Sequence, residues 1–265
     1  MQQLQQASRF LVALCAAAIL SACGGGGGDE SGGAANGSQD TVPTGARIDV
    51  STRNYFPLKF GDQWVYTKTF TGTARTASVT RNITSAANAA GWLTVKELEN
   101  GQTDTEQVRV TAAGFEILNS TGASGILPGL DAAFPTFLNY PTPFYAVGGV
   151  RSLVRQGDLG ADIDNDKKPD FFKLEVNQVF VGFESLTVLG KVMEVAHFRT
   201  VLAITISASA AGKPVTVSET RNNYLADGLG EVRQDSVTTN SDGSVPEPAY
   251  SMVLKSAVIS GKPFS

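Results

Sequence analysis

The stretch Val192-Met193-Glu194-Val195-Ala196-His197-Phe198-Arg199-Thr200-Val201-Leu202-Ala203-Ile204-Thr205-Ile206-Ser207 decides the fold class. Its apolar residues recur at alternate positions, so that Phe198, Leu202, Ile204 and Ile206 share one face of an extended chain. A strand this long suits a strongly curved sheet, because a flat one would leave its edges open to pairing with other chains. The same period of two recurs on both sides. Gln63–Phe70 places Trp64, Tyr66 and Phe70 on one face, and further strands are predicted over 75–83, 92–99, 106–111, 115–119, 172–181, 213–225, 231–238 and 249–259. No apolar stripe of helical period runs for ten residues. Asn100-Gly101 and Asp242-Gly243 supply hairpin turns. The fold class is therefore mainly β: an antiparallel, strongly curved sheet or half-barrel of about ten strands. The segment 122–149, with Pro128, Pro135, Pro141 and Pro143 among aromatics, cannot pair as an interior strand and reads as a long apolar loop over one end of the sheet.

Upstream, residues 1–22 contain one charge, Arg9, and the apolar run Phe10–Leu20, which suits the core of an export signal and is too short to span a bilayer. The run ends in Leu20-Ser21-Ala22-Cys23, which resembles the lipobox of bacterial lipoproteins. That resemblance implies a covalent lipid such as palmitate on Cys23, cleavage before it, and attachment to the membrane through the anchor. Gly24, standing where Asp would hold a lipoprotein in the inner membrane, implies the outer membrane. The alternative is an ordinary cleavage site that leaves a free thiol. Residues 23–45 are rich in Gly and Ser and read as a disordered tether with a reach of roughly 25 Å. The β domain is expected over 46–265.

The whole chain carries 21 Lys and Arg against 25 Asp and Glu, so it lacks the basic field of a nucleic-acid binder. One His and two Cys, of which Cys15 lies in the signal, argue against zinc, iron–sulfur and Cys–His chemistry and leave no disulfide.

Tyr55-Phe56-Pro57-Leu58-Lys59-Phe60-Gly61-Asp62-Gln63-Trp64-Val65-Tyr66 resembles the opening segment of bacterial envelope lipoproteins, and Tyr224-Leu225-Ala226-Asp227-Gly228-Leu229-Gly230-Glu231-Val232 resembles their closing one. The resemblance implies a LolA/LolB-like antiparallel half-barrel. It also implies a binding role, toward an apolar or acylated envelope molecule or another envelope protein. Neither motif supplies a catalytic group.

Three constellations carry candidate chemistry. Asp162, Asp164, Asp166, Lys168 and Asp170 match positions 1, 3, 5, 7 and 9 of a Ca²⁺ loop, with Lys167 where Gly usually makes the sharp turn and Lys173 where a bidentate Glu usually stands. A weak Ca²⁺ site and a solvated acidic turn are both readings of this loop, and the first would make the protein a Ca²⁺-ordered surface module. His197, the only histidine, would have to serve any Ser–His–acid hydrolase, but no nucleophile elbow accompanies it. Glu97, Glu99, Glu106 and Glu116 could form a carboxylate pair, although surface charge is the plainer reading. Trp64, Tyr66, Phe70 and Trp92 are candidates to line an apolar cavity or to fill the core themselves.

Overall fold

The structure, a computed structural model, describes residues 37–118, 136–160, 162, 167–168, 170–207, 214–246 and 248–264. In chain order the strands are β1 Gly37–Thr41, β2 Gln63–Phe70, β3 Thr76–Ile83, β4 Leu93–Glu99, β5 Gln102–Thr111, β6 Gly114–Leu118 and β7 Thr136–Pro141. There follow β8 Val150–Asp158, β9 Phe171–Val188, β10 Lys191–Ser207, β11 Val215–Ala226, β12 Gly230–Asn240, β13 Tyr250–Ile259 and β14 Lys262–Pro263. No helix occurs among the described residues.

All strands belong to one antiparallel sheet in the order β1-β8-β9-β10-β11-β12-β13-β2-β3-β4-β5-β6-β7, with β14 paired to β13. It is not closed into a barrel. Two meanders, β2 to β7 and β8 to β13, meet where the last long strand pairs with the first, Tyr250 opposite Phe70 and Leu254 opposite Tyr66. The fold expected from alternation is present, with more strands than the ten anticipated.

Local chemistry explains the connections. Asn100 and Gly101 both hold positive φ, 51° and 82°, as a two-residue type I′ hairpin demands, so the β4–β5 ladder closes at Glu99 opposite Gln102. β5 therefore begins four residues earlier than alternation alone suggests. Leu189-Gly190 makes a similar turn between β9 and β10, where no turn dipeptide was anticipated. The curvature is helped by bulges, one of which sets His197 opposite Gly182 and Phe198 opposite Phe180, leaving Val181 as the extra residue.

Three segments differ from the sequence reading. Gly37–Thr41, inside the span read as tether, lies along β8 at one edge of the sheet, with Asp40 paired to Arg151 at 2.9 Å. Val150–Asp158 is a strand that the alternation did not reveal. Thr136–Pro141, inside the proline-rich segment read as loop, pairs with β6, and its position at the free edge is where a residue lacking an N–H donor is tolerated. Residues 119–135, which include the first part of that segment with Pro128, Phe134 and Pro135, lie outside the described residues.

The inner face holds two clusters. One gathers Trp64, Tyr66, Val79, Ile83, Leu93, Val108 and Ile117 against Val188, Val195, Leu229 and Val232, so the two arms of the sheet meet across the interior. The other packs Val50, Tyr55, Tyr140 and Phe144 onto Phe180, Phe198 and Leu225. Within it, Phe198 lies edge-on to Phe144 at 4.9 Å and to Tyr140 at 5.0 Å between ring centroids.

Candidate functional site

The two motifs that bracket the domain in sequence interlock in space. Trp64 Nε1 donates to the Leu229 carbonyl at 2.6 Å, and the Tyr66 hydroxyl donates to the Glu231 carbonyl at 3.0 Å. The Gly228 amide donates to the Asn54 carbonyl at 2.8 Å, and the Asn54 amide donates to Asp227 at 2.6 Å. The turn needs Gly230, whose φ is +79° and whose missing Cβ would lie 3.5 Å from Pro57. Asp62, fully enclosed, accepts the amides of Lys59 and Ser260 and so ties the first bend to the last hairpin.

This seam carries charge into the concavity. The bulge between Tyr224 and Leu225 sets Glu231 opposite Leu225, turning its carboxylate inward. There Glu231 receives Arg81 Nη1 at 2.6 Å and Asn223 Nδ2 at 2.6 Å, and Arg81 also pairs with Glu97 at 2.5 Å. Lys68 pairs with Glu99 at 2.9 Å on the same face. On β11, Arg221 and Ser236 both donate to Glu219 Oε1, at 3.0 Å and 2.6 Å. Glu97, Glu99 and Glu106 therefore belong to the concave face, and the surface-charge reading of these three does not hold. Glu116 pairs instead with Arg109 and the hydroxyl of Thr111.

The electrostatics follow from this enclosure. Burial opposes the charge on Arg81, but Glu97 and Glu231 more than offset it, and the guanidinium is held well above its usual range. Burial also raises Glu97, but the Arg81 charge and hydrogen bond leave it below the ordinary carboxylate value. Glu106 has no such partner: among the described residues it makes neither hydrogen bond nor ion pair. Burial, then the negative charge of Glu97, push its carboxyl up to about 8. The Arg221 and Arg81 charges act on it in the opposite sense from across the concavity.

Two further acceptors are left over. Gln178 and Glu219 are each 4% exposed, and Gln178 Oε1 and Glu219 Oε2 have no hydrogen-bond partner. The register puts Gln178 beside Thr200, which stands beside Arg221 and then Ser236, in one polar row across β9 to β12.

The aromatic candidates are occupied in packing. Trp64, Tyr66, Phe70 and Trp92 are all buried, Arg109 lies over the Trp92 ring at 4.3 Å and Arg75 over Phe70 at 4.1 Å. His197 stands on the opposite face from Phe198, as alternation requires. Its Nδ1 faces Glu184 at 2.8 Å, its Nε2 faces the Asn222 amide at 2.9 Å, and its ring stacks on Tyr224 at 4.4 Å. No hydroxyl or thiol contacts the ring among the described residues.

Of the candidate Ca²⁺ ligands, Asp164 and Asp166 lie outside the described residues. Asp162 accepts the Lys167 amide at 2.8 Å, and Lys167 adopts the left-handed φ of 66° anticipated for its position. Asp170 is fully buried, its carbonyl accepting the Leu159 amide at 2.7 Å. Cys23 also lies outside the described residues.

No family model and no curated protein matches the chain. Two crystal structures resemble it: "a putative lipoprotein" from Parabacteroides distasonis, with a TM-score of 0.45 and 13% identity over 77% of this chain and 97% of that one, and "a putative exported protein with YmcC-like fold" from Bacteroides fragilis, with a TM-score of 0.37 and 14% identity over 79% and 98%.

Proposed function

We propose that the chain is an exported envelope lipoprotein, anchored in the outer membrane through a lipid on Cys23, whose β domain binds a ligand on its concave face without converting it. The lipobox Leu20-Ser21-Ala22-Cys23 supports the anchor. The binding role is carried by the charged concavity around Arg81, Glu97, Glu106 and Glu231. Placing so many ionised groups inside a sheet costs stability compared with an apolar filling, and a binding site gives that cost a use. A hydrolase is disfavoured because both nitrogens of the only histidine are engaged by Glu184 and Asn222, with no nucleophile in contact.

The charged half of the concavity is only partly enclosed around Arg81, where Lys68, Arg81, Glu97, Glu99 and Glu231 retain 14% to 30% side-chain exposure. The aromatic side chains are committed to packing. A ligand, or a side chain of another envelope protein, with a polar or charged group thus fits the face better than a wholly apolar molecule.

Metabolic labelling of the full chain with palmitate, followed by membrane fractionation, tests the anchor. Label should enter the protein and vanish in Cys23→Ala; label that survives the substitution overturns it. Mass spectrometry of an extract of the purified lipidated protein tests the binding role. A co-purifying molecule is expected, and an empty extract with no ligand found by titration overturns it.

A further inference from the structure

We propose that the concavity takes a cationic ligand rich in N–H donors, an aliphatic amine, received by the carboxylates of Glu106 and Glu219 and the side-chain carbonyl of Gln178. This rests on the binding role proposed above and specifies its chemistry. Three observations point the same way.

The first is the balance of charge. Asp40, Glu97, Glu99, Glu106, Glu219 and Glu231 share the inner face with Lys68, Arg81, Arg151 and Arg221. Each of those cations is already paired with a carboxylate. Glu106 is left over, diagonal to Glu97 in the register, where Val95 pairs with Glu106 and Glu97 with Asp104. Lacking a counter-ion, Glu106 keeps its proton at neutral pH, and an incoming positive charge releases that proton to solvent and pairs with the carboxylate left behind.

The second is the kind of hydrogen-bonding capacity that remains. Gln178 Oε1 and Glu219 Oε2 are buried, unpartnered, and both are acceptors. Leaving a buried acceptor unmade is costly, and a donor relieves it. A metal ion would have to draw these oxygens in around one point, whereas an ammonium group carries up to three donors on one charge and a chain of amines reaches acceptors on separate strands.

The third is the shape of the array. Gln178, Thr200, Arg221 and Ser236 stand side by side on four successive strands, and the Arg221 charge reaches both Glu97 and Glu106 on the opposite arm. The acceptors are therefore spread across the concavity, which suits an extended molecule with several amines. Aromatic faces already receive cations here, with Lys68 Nζ 4.4 Å from the Tyr250 ring centroid and Arg81 5.2 Å from that of Tyr66.

The test is calorimetric titration of the full lipidated protein, in detergent, with spermidine, and separately with Mg²⁺ as a cation lacking N–H donors. Saturable spermidine binding is expected, weakened at least tenfold in Glu106→Gln and severalfold in Gln178→Leu, with Mg²⁺ failing to compete at equal charge. If Gln178→Leu lowers the melting midpoint enough to unfold the chain, Glu106→Gln alone decides. The proposal is overturned by no saturable binding, which would leave the orphan acceptors to ordered water, by equal affinity in Glu106→Gln, or by full competition from Mg²⁺. If spermidine fails while the mass-spectrometric extract holds an anionic or neutral ligand, the amine assignment falls and the binding role stands. If both come up empty, both fall.

Discussion

The concave face has two halves built by one rule and filled by opposite chemistry. On β8 to β10 every inward position from Phe172 to Val176 and from Leu202 to Ile206 is apolar, and Leu153, Phe172, Leu174, Val176, Leu202, Ile204 and Ile206 are all less than 8% exposed. On β3 to β5 and β11 to β12 the same alternation delivers Arg81, Glu97, Glu106, Glu219, Arg221 and Glu231 to the interior. Alternation fixes which way a side chain points, and says nothing of what it meets there. The apolar half is held by close packing and area removed from water, so it should answer to volume. The charged half is held by mutual compensation, so it should answer to which partner is removed.

The largest effect should come from moving the chemistry of one half into the other. Ile204→Glu buries a carboxylate directly between Leu174 and Val217, neither of which can pair with it, and we expect a loss of about 4 kcal/mol or more, enough to unfold a marginal domain. Urea denaturation followed by circular dichroism measures it; a loss below about 1 kcal/mol would show that the half is not closely packed. The converse exchange, Arg81→Met, strands Glu97 and Glu231 and should cost about 3 kcal/mol. Adding Glu97→Gln and Glu231→Gln to it should restore most of that loss, because the penalty lies in unpaired charge. A triple variant as unstable as Arg81→Met would refute the compensation account.

Next comes a difference in pH response. The Glu106 carboxyl stands at about 8 in the folded chain against an ordinary value of 4.5. Between those values the folded state holds a proton that the unfolded state has released. Stability therefore is fully retained below pH 4.5, falls as pH rises through the window, and levels off above pH 8. The facing groups are Glu97 and Asp104 on β4 and β5, and Arg81 and Arg221 on β3 and β11. Glu106→Gln should flatten this contribution, making the variant more stable than wild type by on the order of 2–3 kcal/mol at pH 9 and nearly equal at pH 5. Melts across pH 5 to 9 decide it, and parallel curves for the two proteins would place Glu106 in open solvent. Ile204→Val in the apolar half should cost about 1 kcal/mol at every pH.

How much of this was legible depends on the half concerned. Phe198, Leu202, Ile204 and Ile206 declare themselves because apolar residues at alternate positions have only one use. Arg81, Glu97 and Glu106 also alternate with their neighbours, but a charged residue on an amphipathic strand is normally on the wet face, and nothing local signals the exception. The signal lay in register. Asn100-Gly101 fixes the β4–β5 ladder at Glu99 opposite Gln102, and from there Glu106 must share a face with Val108 and Leu93. Glu231 was harder, since a bulge at Tyr224 and Leu225 decides its direction, and Gly228 and Gly230 announce a bulge or turn without its phase. The pairing of β13 with β2, and the interlock of the two bracketing motifs, are long-range contacts that no short stretch encodes. β1 escaped for a simpler reason: Gly37-Ser38-Gln39-Asp40-Thr41 has no apolar residue to alternate, and it is held by the backbone ladder and the Asp40–Arg151 pair; β8 escaped because its inward positions, Arg151, Leu153 and Arg155, are mostly charged.

The smallest effect should appear at the turn that closes the apolar half, between β8 and β9. The Lys167 amide donates to Asp162 while its backbone sits at φ 66°, a conformation that a residue with a Cβ adopts at a cost of about 1 kcal/mol. Lys167→Gly removes that strain but gives the unfolded chain more freedom, so the net gain should be only about 0.5 kcal/mol. Because the strain is in the backbone, the gain should be the same at pH 6 and pH 9, unlike that of Glu106→Gln. The same variant sharpens the question of Ca²⁺ at Asp162, Asp164, Asp166, Lys168 and Asp170. Glycine at this position relaxes the sharp turn of such a loop, so if the ion binds, millimolar Ca²⁺ should raise the melting midpoint of Lys167→Gly more than that of wild type. Identical midpoints in Ca²⁺ and in chelator, for both proteins, would leave the acidic turn as a cap for its own backbone.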